Sequence, residues 1–253
     1  MQEMAVDTRR YERAISEAGA TEYEEAITKR SLMIHRYFTT SKWGRMFPNG
    51  VFLDYGCGTG VVSRFLVRMG LEVVAFDFSK KMCKISKETC SVPVVVADAL
   101  NLPFREKSFS TVCVSGVLHH IHDLERTFEE LCRVSRHFVC IDEISTTPPP
   151  LIMRLIQLFF QFLFSLRKRI FTKSVIKGWR FYGASEYERP LNPNYLVQLY
   201  EKNGFRVVGM RFFNDIPLSH LFLPESVRKY VFAKLISSKG GIDVEIIAKR
   251  VKK

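Results

Sequence analysis

The chain has 253 residues, 47% of them hydrophobic and 25% charged, with a formal net charge of +12. Those proportions exclude a disordered protein and suit one large domain, or one domain with an appendage, built around a full core. The stretch MQEMAVDTRRYERAISEAGATEYEEA has no apolar run and reads as no secretory signal, while six cysteines without a C-x-x-C pair argue against a metal site or disulfide framework and for the reducing cytoplasm.

Taken in chain order, residues 8–47 are expected to be helical, with Met33, Ile34, Tyr37 and Phe38 spaced to bury one face, so that 1–48 forms an amino-terminal helical cap. VFLDY (51–55) is a short strand that runs into LDYGCGTG (53–60), where three glycines alternate behind an aspartate. Each glycine costs roughly 0.5–1 kcal/mol of extra ordering relative to alanine, which suits a ligand that approaches the backbone closely. A helix over TGVVSRFLVRMG follows, with Thr59 as its expected N-cap and Gly70 just past its end. LEVVAFDFS is a second strand, and Ser79 caps the helix KKMCKISKETC. VPVVVADA and FSTVCVSG are the third and fourth strands, DLERTFEELCRVS is an amphipathic helix, and HFVCIDEIS is the fifth strand. Strands alternating with helices of this length predict a parallel sheet with helices on both faces across a core of residues 49–147.

Past Thr147 the pattern changes. PPP (148–150) is a break, and LIMRLIQLFFQFLFSL (151–166) is apolar at 12 of 16 positions, with Arg154, Gln157, Gln161 and Ser165 as a narrow polar stripe. Such a helix is ~24 Å long, short of the ~30 Å hydrocarbon core of a bilayer, so it is not expected to span one. RKRIFTKSVIKGWR comes next, and 148–190 together form an apolar and basic helical insertion. In 191–253, NPNYLVQLYEKNG is a helix with Asn192 at the N-cap, Pro193 at the first helical position and Gly204 past the end. FRVVGMRFF and DVEIIAKRV are the last two strands, separated by a helical insertion at about 216–238.

The charge is unevenly placed. Residues 1–144 hold 19 Lys and Arg against 19 Asp and Glu, whereas residues 145–253 hold 19 against 7, so the carboxyl half carries the whole excess. A basic half of this kind attracts anionic lipid, nucleic acid or an acidic partner.

A glycine loop between a first strand and the following helix lies where an open parallel sheet binds nucleotide-like ligands. Alone it is weak evidence, because dinucleotide dehydrogenases carry a similar turn. Asp54 precedes the first glycine, Asp77 ends the second strand where a carboxylate can accept two ribose hydroxyls, and Asp98 ends the third strand where it can accept an adenine amine. In these features the chain resembles the class I S-adenosylmethionine-dependent methyltransferase family, strongly over residues 50–144, and LPFREKSFSTVCVSGVLHHIHD resembles the branch that methylates small molecules, lipids and quinones. The resemblance implies a Rossmann-like doubly wound α/β fold, a seven-stranded sheet mostly parallel with an antiparallel last strand, plus helical lid insertions. It implies S-adenosylmethionine as cofactor, and the cysteine pattern leaves no metal expected beside it. Gly56, Cys57, Gly58, Thr59 and Gly60 would lie along its methionine part behind Asp54. Asp77 and the adjoining Phe78 would meet the ribose, Asp98 and Ala99 the adenine, and Ser115 and Gly116 the amino-acid end. RVSRHFVCIDE lacks the family's common Pro-Gly-Gly turn before the fifth strand, which shortens a loop.

In this family the cofactor carries the activated methyl and the protein supplies alignment. A base is needed only when the acceptor is a phenol, an enol or a protonated amine. His119 and His120, with His122 two residues on, follow the fourth strand at the mouth of the site, and His119 or His120 is expected to act as base or to orient the acceptor. The other role open to them is to cap the next helix or pack beneath a lid. Cys57 is read as a small residue between glycines. The apolar and basic second half implies a hydrophobic small-molecule acceptor of lipid or isoprenoid quinone type, and peripheral contact of a cytoplasmic protein with an anionic membrane. Transfer to RNA and a non-enzymatic cofactor-binding role are the alternatives. RNA is the less favoured partner, because the apolar residues cluster in one helix instead of interleaving with the cations.

Overall fold

A computed structural model of the chain describes residues 32–47, 49–148, 151, 155, 189–213, 236–237 and 243–251. The first helix, α1, runs Leu32–Met46, and the earlier part of the expected 8–47 helix lies outside the described residues. Then come β1 (Phe52–Tyr55), α2 (Val61–Arg68), β2 (Val73–Asp77), α3 (Lys80–Cys90), β3 (Val94–Val96) and β4 (Phe109–Ser115). A short 3-10 turn, Leu118–His120, leads to α4 (Leu124–Val134), β5 (Ser135–Ile144), α5 (Pro193–Lys202), β6 (Phe205–Phe213), β7 (Ile236–Ser237) and β8 (Asp243–Arg250).

The sheet order is β3-β2-β1-β4-β5-β8-β6-β7. Strands β1 to β5 pair in parallel, and β8 inserts antiparallel between β5 and β6. This is the expected mostly parallel seven-stranded architecture, extended at its edge by the two residues of β7. That extension corrects the end of the helix expected over 216–238. Phe212 and Phe213 of β6 pair with Ser237 and Ile236, so the backbone there completes a sheet edge instead of a helical turn. The rest of that expected insertion lies outside the described residues.

Alternation along the strands sorts the core into two layers. Phe52, Ala75, Cys113, Cys140 and Ile247 face α1 and α2, where Trp43, Val62 and Leu66 are buried. Leu53, Val112, Val139, Ile141 and Ile246 face α4 and α5, where Phe128 meets Tyr200 edge-to-face at 5.0 Å. Burying each such side chain is worth about 1.5–3 kcal/mol, so both layers hold the strand ends in fixed register.

Several local signals act as expected. Ser79 Oγ accepts from the Met82 amide at 3.2 Å, Asn192 Oδ1 accepts from the Asn194 amide at 3.0 Å, and Gly70 and Gly204 take φ of +78° and +76° past their helices. The missing turn before β5 has a structural counterpart. Helix α4 passes into β5 without an intervening residue, and the Arg250 guanidinium donates to the Cys132 and Ser135 carbonyls, clamping the junction. After β5 the chain leaves the sheet and returns at the same place. The Thr146 amide donates to the Leu191 carbonyl and the Leu191 amide to the Ile144 carbonyl, both at 2.9 Å.

Candidate active site

The carboxyl ends of β1, β2, β3 and β4 carry the residues singled out from the sequence. In the glycine loop, Gly56 and Gly60 have φ of +66° and +87°. A Cβ on Gly56 would stand 2.7 Å from the Val117 methyls, and one on Gly60 2.3 Å from Cys90 Sγ. The crowding at these two positions therefore comes from the protein itself, from the turn after β4 and from α3. Packing within the protein requires these two glycines in its own right, beside the close ligand approach expected from the sequence. One correction concerns Thr59. Gly60, in left-handed conformation, is the cap residue of α2, while Thr59 Oγ1 is buried without a hydrogen-bond partner among the described residues.

The loop is tied to its surroundings by carboxylates. Asp54 is buried, and its Oδ2 accepts from the Ser63 amide at 2.9 Å and the Ser63 hydroxyl at 2.6 Å, joining β1 to the first turn of α2. Asp77, half-buried at the end of β2, accepts from the Gly58 amide at 2.8 Å and from the Ser79 amide at 2.9 Å. Its neighbour Phe78 is half-buried too. Cys57 lies inside the loop, and burial, followed by the charges of Asp54 and Asp77, pushes its thiol pKa well up, which suits an inert small residue. All six cysteines are buried thiols.

Asp98 Oδ1 accepts from the Leu100 amide at 2.9 Å, shaping the loop after β3, and the Tyr55 hydroxyl donates to the Ala99 carbonyl at 2.7 Å. Tyr55 sits at the end of β1, so its phenol links the glycine loop to the Asp98–Ala99 loop. Burial, then the charges of Glu130 and Asp98, raise its pKa well above the ordinary value and keep it a donor. Glu130 secures the far side of the same loop. It accepts from the Leu102 amide at 2.8 Å and pairs with Arg133, whose guanidinium also donates to the Phe104 carbonyl at 2.7 Å.

Ser115 closes β4, and its hydroxyl donates to Asp142 Oδ2 at 3.2 Å; the Gly116 amide donates to the Asp142 carbonyl at 2.9 Å. On the same face, Thr39 of α1 reaches Asp142, and Glu245 of β8 takes Lys42 and the Trp43 indole, each at 2.9 Å, together with Arg211. Helix α1 is thereby fastened over the strand ends.

The adjacent residue, Glu143, points to the opposite face. Its Oε1 accepts from the Val117 amide at 2.6 Å and the Leu118 amide at 2.7 Å, while Oε2 lies 2.8 Å from His119 Nδ1. His119 is buried, and the His120 ring lies against it, tilted by 44° with ring centroids 4.0 Å apart. His120 still meets solvent at the surface, yet desolvation of its ring and then the neighbouring His119 lower its pKa from 6.5 to about 3. His122 is exposed beyond the turn. Among the described residues no cluster of His, Cys, Asp and Glu could hold a metal ion.

Tyr55, Glu130 and Glu143 carry much of this geometry and were not singled out from the sequence. The available signal was chemical. An acid inside a buried apolar run, as in CIDEIS, must be paired.

Residues 53–137 match the family model described as a methyltransferase domain. A demethylmenaquinone methyltransferase of Staphylococcus haemolyticus is 30% identical over 172 residues, which cover 64% of this chain and 70% of that protein. The chain belongs to the class I S-adenosylmethionine-dependent methyltransferases. A demethylmenaquinone methyltransferase of Thermobifida fusca is 39% identical over 96 residues, covering 36% of this chain and only 41% of that relative's length. Among solved structures, a S-adenosylmethionine-dependent methyltransferase of Thermotoga maritima superposes with a TM-score of 0.62 at 19% identity over 94% of this chain and 99% of its own. The magnesium protoporphyrin IX methyltransferase of Synechocystis, with bound S-adenosylhomocysteine, gives 0.62 at 14% identity over 96% and 100%. Both speak for the fold. The cofactor of this methyltransferase is S-adenosylmethionine. Its site chemistry fits: amides and left-handed glycines line one strand end, and half-buried carboxylates stand at the next two.

Proposed function

We propose that this methyltransferase acts on a hydrophobic quinone-type acceptor in its reduced, hydroxyl-bearing form. The observation that carries the reading is the 30% identity running over 70% of a demethylmenaquinone methyltransferase. In this reading the loop Gly56–Gly60, with Asp54 behind it, lies along the methionine part of the cofactor. Asp77 and Phe78 meet the ribose, Asp98 and Ala99 the adenine, and Ser115 and Gly116 the amino-acid end. A carboxylate has about four lone-pair sites, so Asp77 can hold two backbone amides and still accept ribose hydroxyls.

S-adenosylmethionine, when bound, supplies a methyl carbon on a cationic sulfur and leaves as neutral S-adenosylhomocysteine with the electrons of the broken bond. Such a methyl goes to an electron-rich atom, which a reduced quinone ring offers once a hydroxyl proton is withdrawn. The chain's own contribution is that proton transfer and the alignment of the two reactants. His119 is the base in this reading. It is buried beside the end of β4 with a carboxylate behind it, whereas His120 lies exposed on the outside of the same turn. Incubation with demethylmenaquinone, reduced and unreduced, tests the reading. Formation of S-adenosylhomocysteine and a singly methylated product only from the reduced form is expected; turnover of neither form rejects it.

We further infer that the carboxyl half rests against an anionic bilayer. The excess positive charge falls entirely after residue 144, and Leu151 and Leu155, one helical turn apart, are 70% and 52% exposed. No helix among the described residues is long and apolar enough to cross a membrane. Attraction of ~1 kcal/mol per basic residue near an anionic surface, added to apolar burial, gives peripheral attachment. The helix expected over 151–166 otherwise lies outside the described residues. Sedimentation with anionic but not neutral vesicles is the expected outcome, and equal negligible binding to both removes the membrane role.

A further inference from the structure

We propose that Glu143 is the positioning residue of the methyl-transfer base: it holds His119 with its proton on Nδ1, so that Nε2 is the nitrogen that takes the acceptor's proton. The inference rests on the acid–base part of the function proposed above and extends it to a residue on another strand.

The geometry is specific. Glu143 is the last residue but one of β5, and its side chain is fully buried. One carboxylate oxygen collects the Val117 and Leu118 amides at 2.6 and 2.7 Å, which fixes the orientation of the group. The other oxygen is left facing His119 Nδ1 at 2.8 Å. A carboxylate only accepts, so the proton in that contact belongs to the imidazole, and the basic lone pair of the neutral ring is then on Nε2. The same two amides open the 3-10 turn that carries His119, so a single side chain sets both the position of the ring and its tautomer. The Arg189 amide donates to the His119 carbonyl at 3.4 Å and fastens the turn from outside.

The step balances simply. The acceptor hydroxyl gives its proton to Nε2, and the electron pair left on oxygen is delocalised into the ring. A ring carbon then bonds the methyl as the carbon–sulfur bond breaks and its electrons leave on sulfur. Loss of that ring carbon's own proton to water restores the aromatic quinol. The resulting imidazolium faces the Glu143 carboxylate until its proton passes to water. An imidazolium beside a buried carboxylate is stabilised where an unpaired one is not.

The decisive variant is Glu143→Gln. Its carbonyl can still accept from Val117 and Leu118, but its amide turns a donor toward Nδ1 and forces the proton to Nε2. Turnover should fall by ~10²–10⁴, with S-adenosylhomocysteine affinity and the acceptor KM changed by no more than about twofold. His119→Ala should show a similar loss, and the double variant no greater one, because the two residues act as a unit. Glu143→Asp, which keeps an accepting carboxylate, should recover part of the rate. Independently of any variant or acceptor, nitrogen-15 NMR of histidine-labelled protein, with His119 assigned through His119→Gln, should find its proton on Nδ1.

A proton on Nε2 overturns the proposal, even if Glu143→Gln does not fold. So does full turnover in Glu143→Gln beside an impaired His119→Ala. Full turnover in His119→Ala overturns both this role and the base assignment. Should no quinol be turned over at all, the acceptor reading fails and the tautomer alone decides the role of Glu143.

Discussion

Two loops meet at the active site, where Gly56 and the Val117 side chain would collide if the glycine gained a Cβ. The loop after β1 is shaped by its own glycines and by carboxylates within 20 positions of it in the chain, Asp54 onto Ser63 and Asp77 onto Gly58. The turn after β4 is shaped by a carboxylate from another strand, Glu143. The first loop rests on left-handed glycines held by two carboxylates near it in the chain, the second on one buried side chain more than 20 positions away. The contrast teaches that two neighbouring loops of one candidate site can be held by different means and fail for different reasons.

The largest effect should come from breaking the first loop sterically. Gly60→Ala combines a φ of +87° with a contact of 2.3 Å to Cys90 Sγ, so a loss of about 3 kcal/mol in folding stability is expected. A urea midpoint that falls at constant slope would register it. Adding Cys90→Ala should recover only the share due to its sulfur, and leave the crowding against Ser86, whose Oγ would lie 2.7 Å from the new Cβ, together with the backbone strain.

Next in size is Asp77→Ala, for which calorimetry with S-adenosylhomocysteine should show about 1.5–3 kcal/mol of lost affinity. Unchanged affinity would remove Asp77 from the ribose site.

Smaller again is Tyr55→Phe. Deleting the 2.7 Å bond to the Ala99 carbonyl should lower stability by about 1 kcal/mol, and an accompanying loss of cofactor affinity would show that the phenol orders the Asp98–Ala99 loop. No change in either quantity would mean that the loop holds itself.

The smallest effect belongs to the second loop and to pH. The folded-state pKa of His120 is depressed, so the unfolded chain binds its proton more readily. The contribution of the neutral ring to stability is present above the ordinary 6.5 and is lost as pH falls toward about 3, with solvent at the ring edge muting it. Stability measured across that window should fall less steeply in His120→Gln than in the parent; identical slopes would mean that His120 titrates normally.

The same contrast governs what could be read from the amino acids. The glycine loop, the Ser79 and Asn192 caps and the order of strands and helices follow from local chemistry, where residues a few positions apart act on one another. The Thr59 cap assignment missed by one residue, because a left-handed glycine lengthened the loop before α2. The partner of Glu143 was hidden for a different reason. In CIDEIS two adjacent acids point to opposite faces, and nothing within the segment says which one meets an imidazole 24 positions earlier. Glu130 likewise looks like one more acid in a charged helix until Leu102 and Arg133 close on it.

The paired hydrogen bonds between Thr146, Leu191 and Ile144 make the departure and return of the chain a closed neck. The neck joins two elements that are far apart in the chain: Ile144 is the last residue of β5, and Leu191 immediately precedes the Asn192 cap of α5. A substitution at either side of it would therefore be felt by both the strand and the helix.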